Sequence, residues 1–307
     1  MVAWITFPII AALLWATVNH LDKYLLDKYC KNREIGGLMI FSSLIGIPVV
    51  LTIFVFNPAV INIDLRPALI ITVAGALYIL GLIPYLYALD IDETSVVAPQ
   101  ALMLTVFTGI LGYVFLEENI TFSQFSGIVL ILAGALTLSL DIKSIYTLRL
   151  KLNVFLLMLI SSFFIAGHIF LFKYFAIDLS FWKTVFWLHM GFILTSIVFL
   201  TFIRNYRNQF LSLIKTNPIG IISLNLVGEV LTVIGNLSSY YASLLAPLVI
   251  SETVTEGIQP IFVLLIGILI TIVFPNLKKE NIGLKNLLHK TISITVMIFG
   301  LFLVLTN

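Results

Sequence analysis

Glu252, Glu256 and Gln259 stand at spacings of four and three inside an apolar run, Leu248–Phe274. On a helix, that spacing stacks the three side chains on one face over two turns. Two carboxyl groups one turn apart repel in a low dielectric, so one of them holds a proton or a cation sits between them. Either state suits a site for a cationic or polar guest. Glu229 lies near the middle of another apolar run, in LNLVGEVLTVIGN, with no basic residue within one turn. A carboxyl group buried there without a partner keeps its proton. A carboxyl group that is alternately wetted and dried can take the proton up and release it. An ionisable group deep in a membrane span costs about 2.5–3.5 kcal/mol on insertion scales, so it faces a partner or a watery cavity.

Other polar groups extend this set. Trp15 and Asn19, four residues apart, share a face, and Tyr78, Gln100 and Asn236 lie inside apolar runs of their own. Amphipathic rings such as Tyr78 can stack on a cation. The expected substrate-binding residues are therefore Trp15, Asn19, Tyr78, Gln100, Glu229, Asn236, Glu252, Glu256 and Gln259. The expected proton-coupling groups are Glu229, Glu256 and His168. His168 and His189 read equally as donors in helix contacts. Lys23 and Lys173 are expected to extend along their helices to the membrane interface; pointing inward instead, they would suit an anionic substrate. Pro84, Pro99, Pro247 and Pro260 fall inside or at the start of apolar runs. Proline frees a backbone carbonyl and kinks a helix, and discontinuous helices often mark a carrier's site. Gln259 directly precedes Pro260, with Glu256 one turn earlier.

The elements that must position these groups follow from composition. The chain is 60% hydrophobic and 10% charged, against about 45–50% and about 25% in soluble domains. That apolar excess has to face lipid. Ten stretches approach the roughly 20 residues a span needs: Val2–Lys23, Gly36–Phe56, Ala68–Leu89, Thr94–Leu116, Phe122–Leu140, Asn153–Phe175, Lys183–Ile203, Ile219–Tyr241, Leu248–Phe274 and Thr291–Leu305. Backbone groups in hydrocarbon must be satisfied within the segment, so these are helices; nothing alternates as barrel strands do. No basic residue precedes Lys23, so the first stretch reads as a permanent span rather than a secretory leader. The longest gap, Pro275–Lys290, has room for one short surface helix. Loops after spans one, five, seven and nine hold most of the Lys and Arg. By the positive-inside rule they are cytoplasmic, with both termini outside.

The chain also repeats itself. LLWATVNHLDKYLLDKY in span one resembles FFIAGHIFLFKYFAID in span six, aligning Lys23-Tyr24 with Lys173-Tyr174. Glu118-Asn119-Ile120 before span five aligns with Glu280-Asn281-Ile282 before span ten. YALDIDETSVVAP and YYASLLAPLVISE hold matching places after spans three and eight. Five spans per half is an odd number, so the second half enters the membrane the other way up. The expected fold is an all-α membrane protein of ten transmembrane helices in two inverted five-helix repeats, residues 1–152 and 153–307. Such carriers bind substrate near the midplane, where the halves meet.

The stretch from Tyr87 to Leu138 resembles the signature half of the drug/metabolite transporter superfamily, EamA type. Ala88-Leu89 fit the pair closing the third span, Glu118 fits the acid opening the next loop, and Gly127 and Gly134 fit the Gly-rich fifth span. The family's fourth-span proline falls on Thr105, with Pro99 earlier, whereas Gln259-Pro260 fit that position in the second half. The resemblance implies a membrane carrier. In related carriers both termini are cytoplasmic, the reverse of what loop charge gives here.

Other chemistries leave no trace in the sequence. There is no Walker loop for ATP and no nucleophile elbow. Four His on separate segments and one Cys make no zinc site. Neither a cofactor nor a metal is expected, and a net charge of +2 gives no footprint for nucleic acid. Asp90, Asp92 and Glu93 read as solvated helix caps. The expected function is a secondary transporter in the cell membrane, moving a small polar metabolite such as an amino acid or amine and coupled to protons. The partners would be that substrate and the lipid bilayer, with the chain a monomer or homodimer. The alternatives are a carrier of an anionic metabolite such as a sugar phosphate or nucleotide sugar, a membrane-embedded enzyme, and an assembly subunit.

Overall fold

The computed structural model describes residues 3–30, 35–138, 152–216, 218–273 and 284–306. The regular structure among them is helical, with no strand. In chain order the helices are α1 (Thr6–Tyr29), α2 (Gly36–Leu44), α3 (Gly46–Phe56), α4 (Leu65–Ile91), α5 (Thr94–Val97), α6 (Met103–Phe115) and α7 (Phe122–Leu138). There follow α8 (Leu152–Asp178), α9 (Phe181–Phe202), α10 (Arg204–Thr216), α11 (Pro218–Leu245), α12 (Leu248–Val273) and α13 (Leu284–Leu305). Among the described residues, seven helical segments are long and apolar enough to cross a bilayer: Gly36–Phe56, Leu65–Ile91, Thr94–Phe115, Leu152–Asp178, Phe181–Phe202, Ile219–Leu245 and Leu248–Val273. Phe122–Gly134 and Thr291–Leu305 are shorter apolar helices. α1 is 24 residues long, but Asp22, Lys23, Asp27 and Lys28 make its last turns polar. Phe56, Phe122, Phe202 and Ile219 are each more than 80% exposed, as an outer face against lipid requires. The chain is a multi-pass integral membrane protein.

Two expectations from the sequence are corrected, and the discontinuity expected at Pro99 is met. The second span is two helices, because Pro48 has no N–H to donate to Leu44 and the helix restarts at Gly46. The fourth span is broken the same way: Pro99 cannot donate to Ser95, and Ala98–Leu102 winds as a 3-10 turn between α5 and α6. The Arg204–Thr216 stretch, read as loop, is helix α10. Its apolar side chains Tyr206, Phe210 and Leu213 pack inward, with Phe210 edge-on to Phe41 at 4.9 Å. Burial, with the neighbouring Tyr87 phenol, pushes Tyr206 up to about 12. α10 sits directly over Gly36 and Gly37, where a Cβ would strike Tyr206 and Leu213. Most of the gap Pro275–Lys290 lies outside the described residues, and its last part belongs to α13.

Helix contacts run chiefly between the two halves of the sequence. α1 lies against α11 and α12, α8 lies against α4 and α6, and α7 pairs with α13. The first helix of each half thus packs on the third and fourth of the other. Two crossings are backbone on backbone. A Cβ on Gly191 would lie 2.9 Å from the Gly75 Cα, where α9 crosses α4. A Cβ on Gly300 would lie 2.7 Å from the Gly127 carbonyl, where α13 crosses α7. In a bilayer lipid competes for apolar surface, so small residues that let helices touch are a main source of association.

Candidate functional site

A cavity of about 120 Å³ opens where α1, α2, α4, the 98–104 segment, α8, α11 and α12 converge. It has room for roughly ten water-sized particles. Both halves of the sequence contribute to its wall. α1 presents Trp15, Asn19 and Asp22, which lie on one face at spacings of four and three. α4 contributes Tyr78 and Tyr85, α8 Ser161 and Ser162, α11 Glu229 and Thr232, and α12 Glu256 and Gln259. The broken fourth span brings in Ala98, Ala101 and Leu104, whose small or apolar side chains leave the space open.

Three acids line this wall and no Lys or Arg does. Asp22 and Asn19 both accept from the Tyr85 hydroxyl, at 3.3 and 2.9 Å. Glu229 accepts a short hydrogen bond from the Ser42 hydroxyl, across from α11 to α2. Glu256 is 5% exposed, and its Oε2 has no hydrogen-bond partner among the described residues; the same holds for Gln259 and its Oε1. Buried acceptors are rarely left without donors, and the usual explanation is a water, an ion or a ligand. The wall therefore offers acceptor oxygens to a guest that brings donors or positive charge. Trp15 and Tyr78 supply rings beside them. The Trp15 indole donates to Asn236 Oδ1 at 3.1 Å and lies over Gly235, where a side chain would displace it.

Six of the residues expected from sequence meet here: Trp15, Asn19, Tyr78, Glu229, Glu256 and Gln259. The others do not line the cavity. Asn236 stands behind Trp15 and orients it. Glu252 is fully buried one turn from Glu256, accepting from Ser239 at 3.3 Å and Ser251 at 3.5 Å. Gln100 turns back to the Val96 carbonyl at 3.1 Å and borders an apolar hollow of about 270 Å³. His168 has both ring nitrogens engaged, with the Ala74 carbonyl at 2.8 Å and the Tyr240 hydroxyl at 2.6 Å. It bridges α4, α8 and α11 behind Tyr78, which stacks on Phe192 at 5.2 Å.

The two lysines depart from expectation: neither reaches the interface. Lys23 is 7% exposed and donates to the Leu89 carbonyl at 2.6 Å near the end of α4. Lys173 is 6% exposed and donates to the Ala246 carbonyl at 2.7 Å just after α11. The aligned lysines of the two halves thus close the ends of the corresponding helices. Lys173 also pairs with Glu118 at 2.5 Å, whose other oxygen accepts from the Leu248 N–H at 2.7 Å at the start of α12. A helix N-terminus with free N–H groups favours such an acid. Asp92, expected as a solvated cap, is instead buried, and its Oδ1 accepts from the Glu93 N–H at 2.9 Å ahead of α5.

Sequence reading missed Asp22, Ser42, Tyr85, Ser161, Ser162 and Thr232. Asp22 was legible: Trp15, Asn19 and Asp22 repeat the four-then-three spacing of Glu252, Glu256 and Gln259. The serines carry no such signal.

Residues 2–140 match the profile of the EamA-like transporter family. Over that stretch, somewhat less than half of the chain, the sequence is similar to this family, which lies within the drug/metabolite transporter superfamily. An uncharacterized protein of Methanocaldococcus jannaschii is 26% identical over 133 residues, which is 43% of this chain and 96% of that protein. The chain is thus similar, over less than half of its length, to a protein about half as long. A solved crystal structure, at 12% identity, superposes with a TM-score of 0.66 over 99% of this chain and 96% of its own. That likeness concerns the fold alone. EamA-like proteins are membrane transporters.

Proposed function

We propose that the chain is a secondary carrier that moves a small polar metabolite bearing a positive or donor-rich group, such as an amine or amino acid, coupled to protons. The observation that carries this reading is a cavity shared by both halves, lined by Asp22, Glu229 and Glu256 and by no basic residue. Substrate donors would meet the acceptors of Glu256 and Gln259, and Trp15 and Tyr78 would hold its body. Glu229 and Glu256 would exchange protons as the cavity opens and closes. Lys23 and Lys173 are both engaged away from the cavity, which weighs against an anionic substrate.

The architecture goes with this reading: ten spans in two inverted five-helix repeats, residues 1–152 and 153–307. Its support is the reciprocal packing of α1 and α8, the matching lysine caps and the half-length relative. The protein would act in the cell membrane as a monomer or homodimer. The test is uptake into proteoliposomes across amines, amino acids and sugar phosphates, with internal pH recorded. Uptake of an amine or amino acid with proton movement supports the proposal; uptake of sugar phosphates alone refutes it.

A further inference from the structure

Of the buried side-chain atoms without a hydrogen-bond partner among the described residues, three sit on one face of α12: Glu252 Oε2, Glu256 Oε2 and Gln259 Oε1. All three are acceptors, and their residues are 0, 5 and 5% exposed. Glu256 and Gln259 open on the cavity, whereas Glu252 lies one turn deeper, beyond its wall. The hydroxyls that reach Glu252, from Ser239 and Ser251, do so only at 3.3 and 3.5 Å. An acceptor buried without a donor is destabilising, and more so if it is charged. Among the described residues, no side chain supplies the missing donors. Lys173 of α8 is bonded to Glu118, which caps the start of α12, and to the Ala246 carbonyl. His20, from α1, faces the Val263 carbonyl. Tyr240 on α11 is bonded to His168. α6, α7 and the 98–102 turn carry no charged residue, and α13 meets this part of α12 with Met297 and Val304.

We infer that Glu252, Glu256 and Gln259 form a binding station for a bare monovalent cation, a proton or a sodium ion, which reaches beyond the substrate's contacts to Glu252. Oxygen acceptors on three successive positions of one helix face suit a small hard cation, which takes oxygen ligands. Glu256 is shared by the station and the cavity, so cation and substrate sense each other there. Glu252 carries the line of acids toward the α12 N-terminus, where the Lys173–Glu118 pair closes that end. This deepens the carrier reading, and rests on it, by naming where a coupling ion sits.

The test needs no substrate. The purified full chain is melted in sodium chloride against caesium chloride at equal ionic strength, at acid and at alkaline pH. If the ion is sodium, saturating sodium raises the melting temperature by about 5 °C, and Glu252→Gln abolishes the rise. If the ion is a proton, sodium has no effect, acid pH raises the melting temperature, and Glu252→Gln abolishes that rise. Should Glu252→Gln fail to fold, Gln259→Leu must weaken the same response at least tenfold in the half-saturating concentration. A missing response, or one that survives in these variants, overturns the station. Flux in proteoliposomes is read separately, so that transport without a cation response refutes the station and leaves the carrier standing.

Discussion

The pair Lys173–Glu118 allows a quantitative test of how this bundle is closed. Lys173 makes two charge-assisted contacts, to Glu118 at 2.5 Å and to the Ala246 carbonyl at 2.7 Å. The side chains are 8 and 12% exposed, so solvent screens them little. At about 1.5–3 kcal/mol for each hydrogen bond to a charged group, Lys173→Met should cost about 3–5 kcal/mol, the usual range for breaking a buried pair. Glu118→Gln keeps an acceptor for the Leu248 N–H but sets a neutral amide against the ammonium, and should cost somewhat less. The double variant removes both charges together. Its cost should fall short of the sum of the single costs by about 1–3 kcal/mol. Unfolding in mixed micelles with rising anionic detergent, followed by fluorescence of the four tryptophans, measures all three. Single costs under about 1 kcal/mol, the range of an exposed pair, would refute the reasoning, as would strict additivity.

Two further outcomes follow from the same geometry. Glu256→Gln and Glu229→Gln should each lower substrate flux at least tenfold while leaving the melting temperature within a few degrees; wild-type flux in either variant removes that acid from the mechanism. Gly191→Ala pushes a methyl group into the Gly75 backbone and should destabilise the bundle by about 1–3 kcal/mol. Gly228→Ala, which meets nothing within 4 Å, should be close to neutral in the same unfolding assay.

Most of the architecture was legible because lipid constrains it so strongly. Apolar length gave the helices, and the odd number of spans per half gave the expectation of inversion. The break at Pro99 was legible from its missing N–H, whereas that at Pro48 was not read, although the residue was in view: a window counting apolar side chains does not see a missing N–H. The polar face of α12 was legible from spacing alone, and so in principle was that of α1, where Asp22 hid beside Lys23 as an ordinary span end. The fates of Lys23 and Lys173 were not legible. A lysine near a helix end reaches water or a buried carbonyl according to what lies over it, and only the packing of α4 and α11 decides that. Gln100 and His168 looked alike in sequence to the cavity residues, but their partners, Val96 one turn away and Tyr240 on another helix, turn them aside.

The most direct test of the account is whether water reaches the space between the halves. With Cys30, the chain's single cysteine, replaced by Ser, a cysteine is placed at Ser162 on the cavity wall or at Thr195 on α9, which is buried but lies off that wall. A small charged thiol reagent applied to permeabilised membranes should modify Ser162→Cys and leave Thr195→Cys unmodified. Equal labelling of the two positions, or none at Ser162→Cys, would mean a dry bundle and would contradict the account.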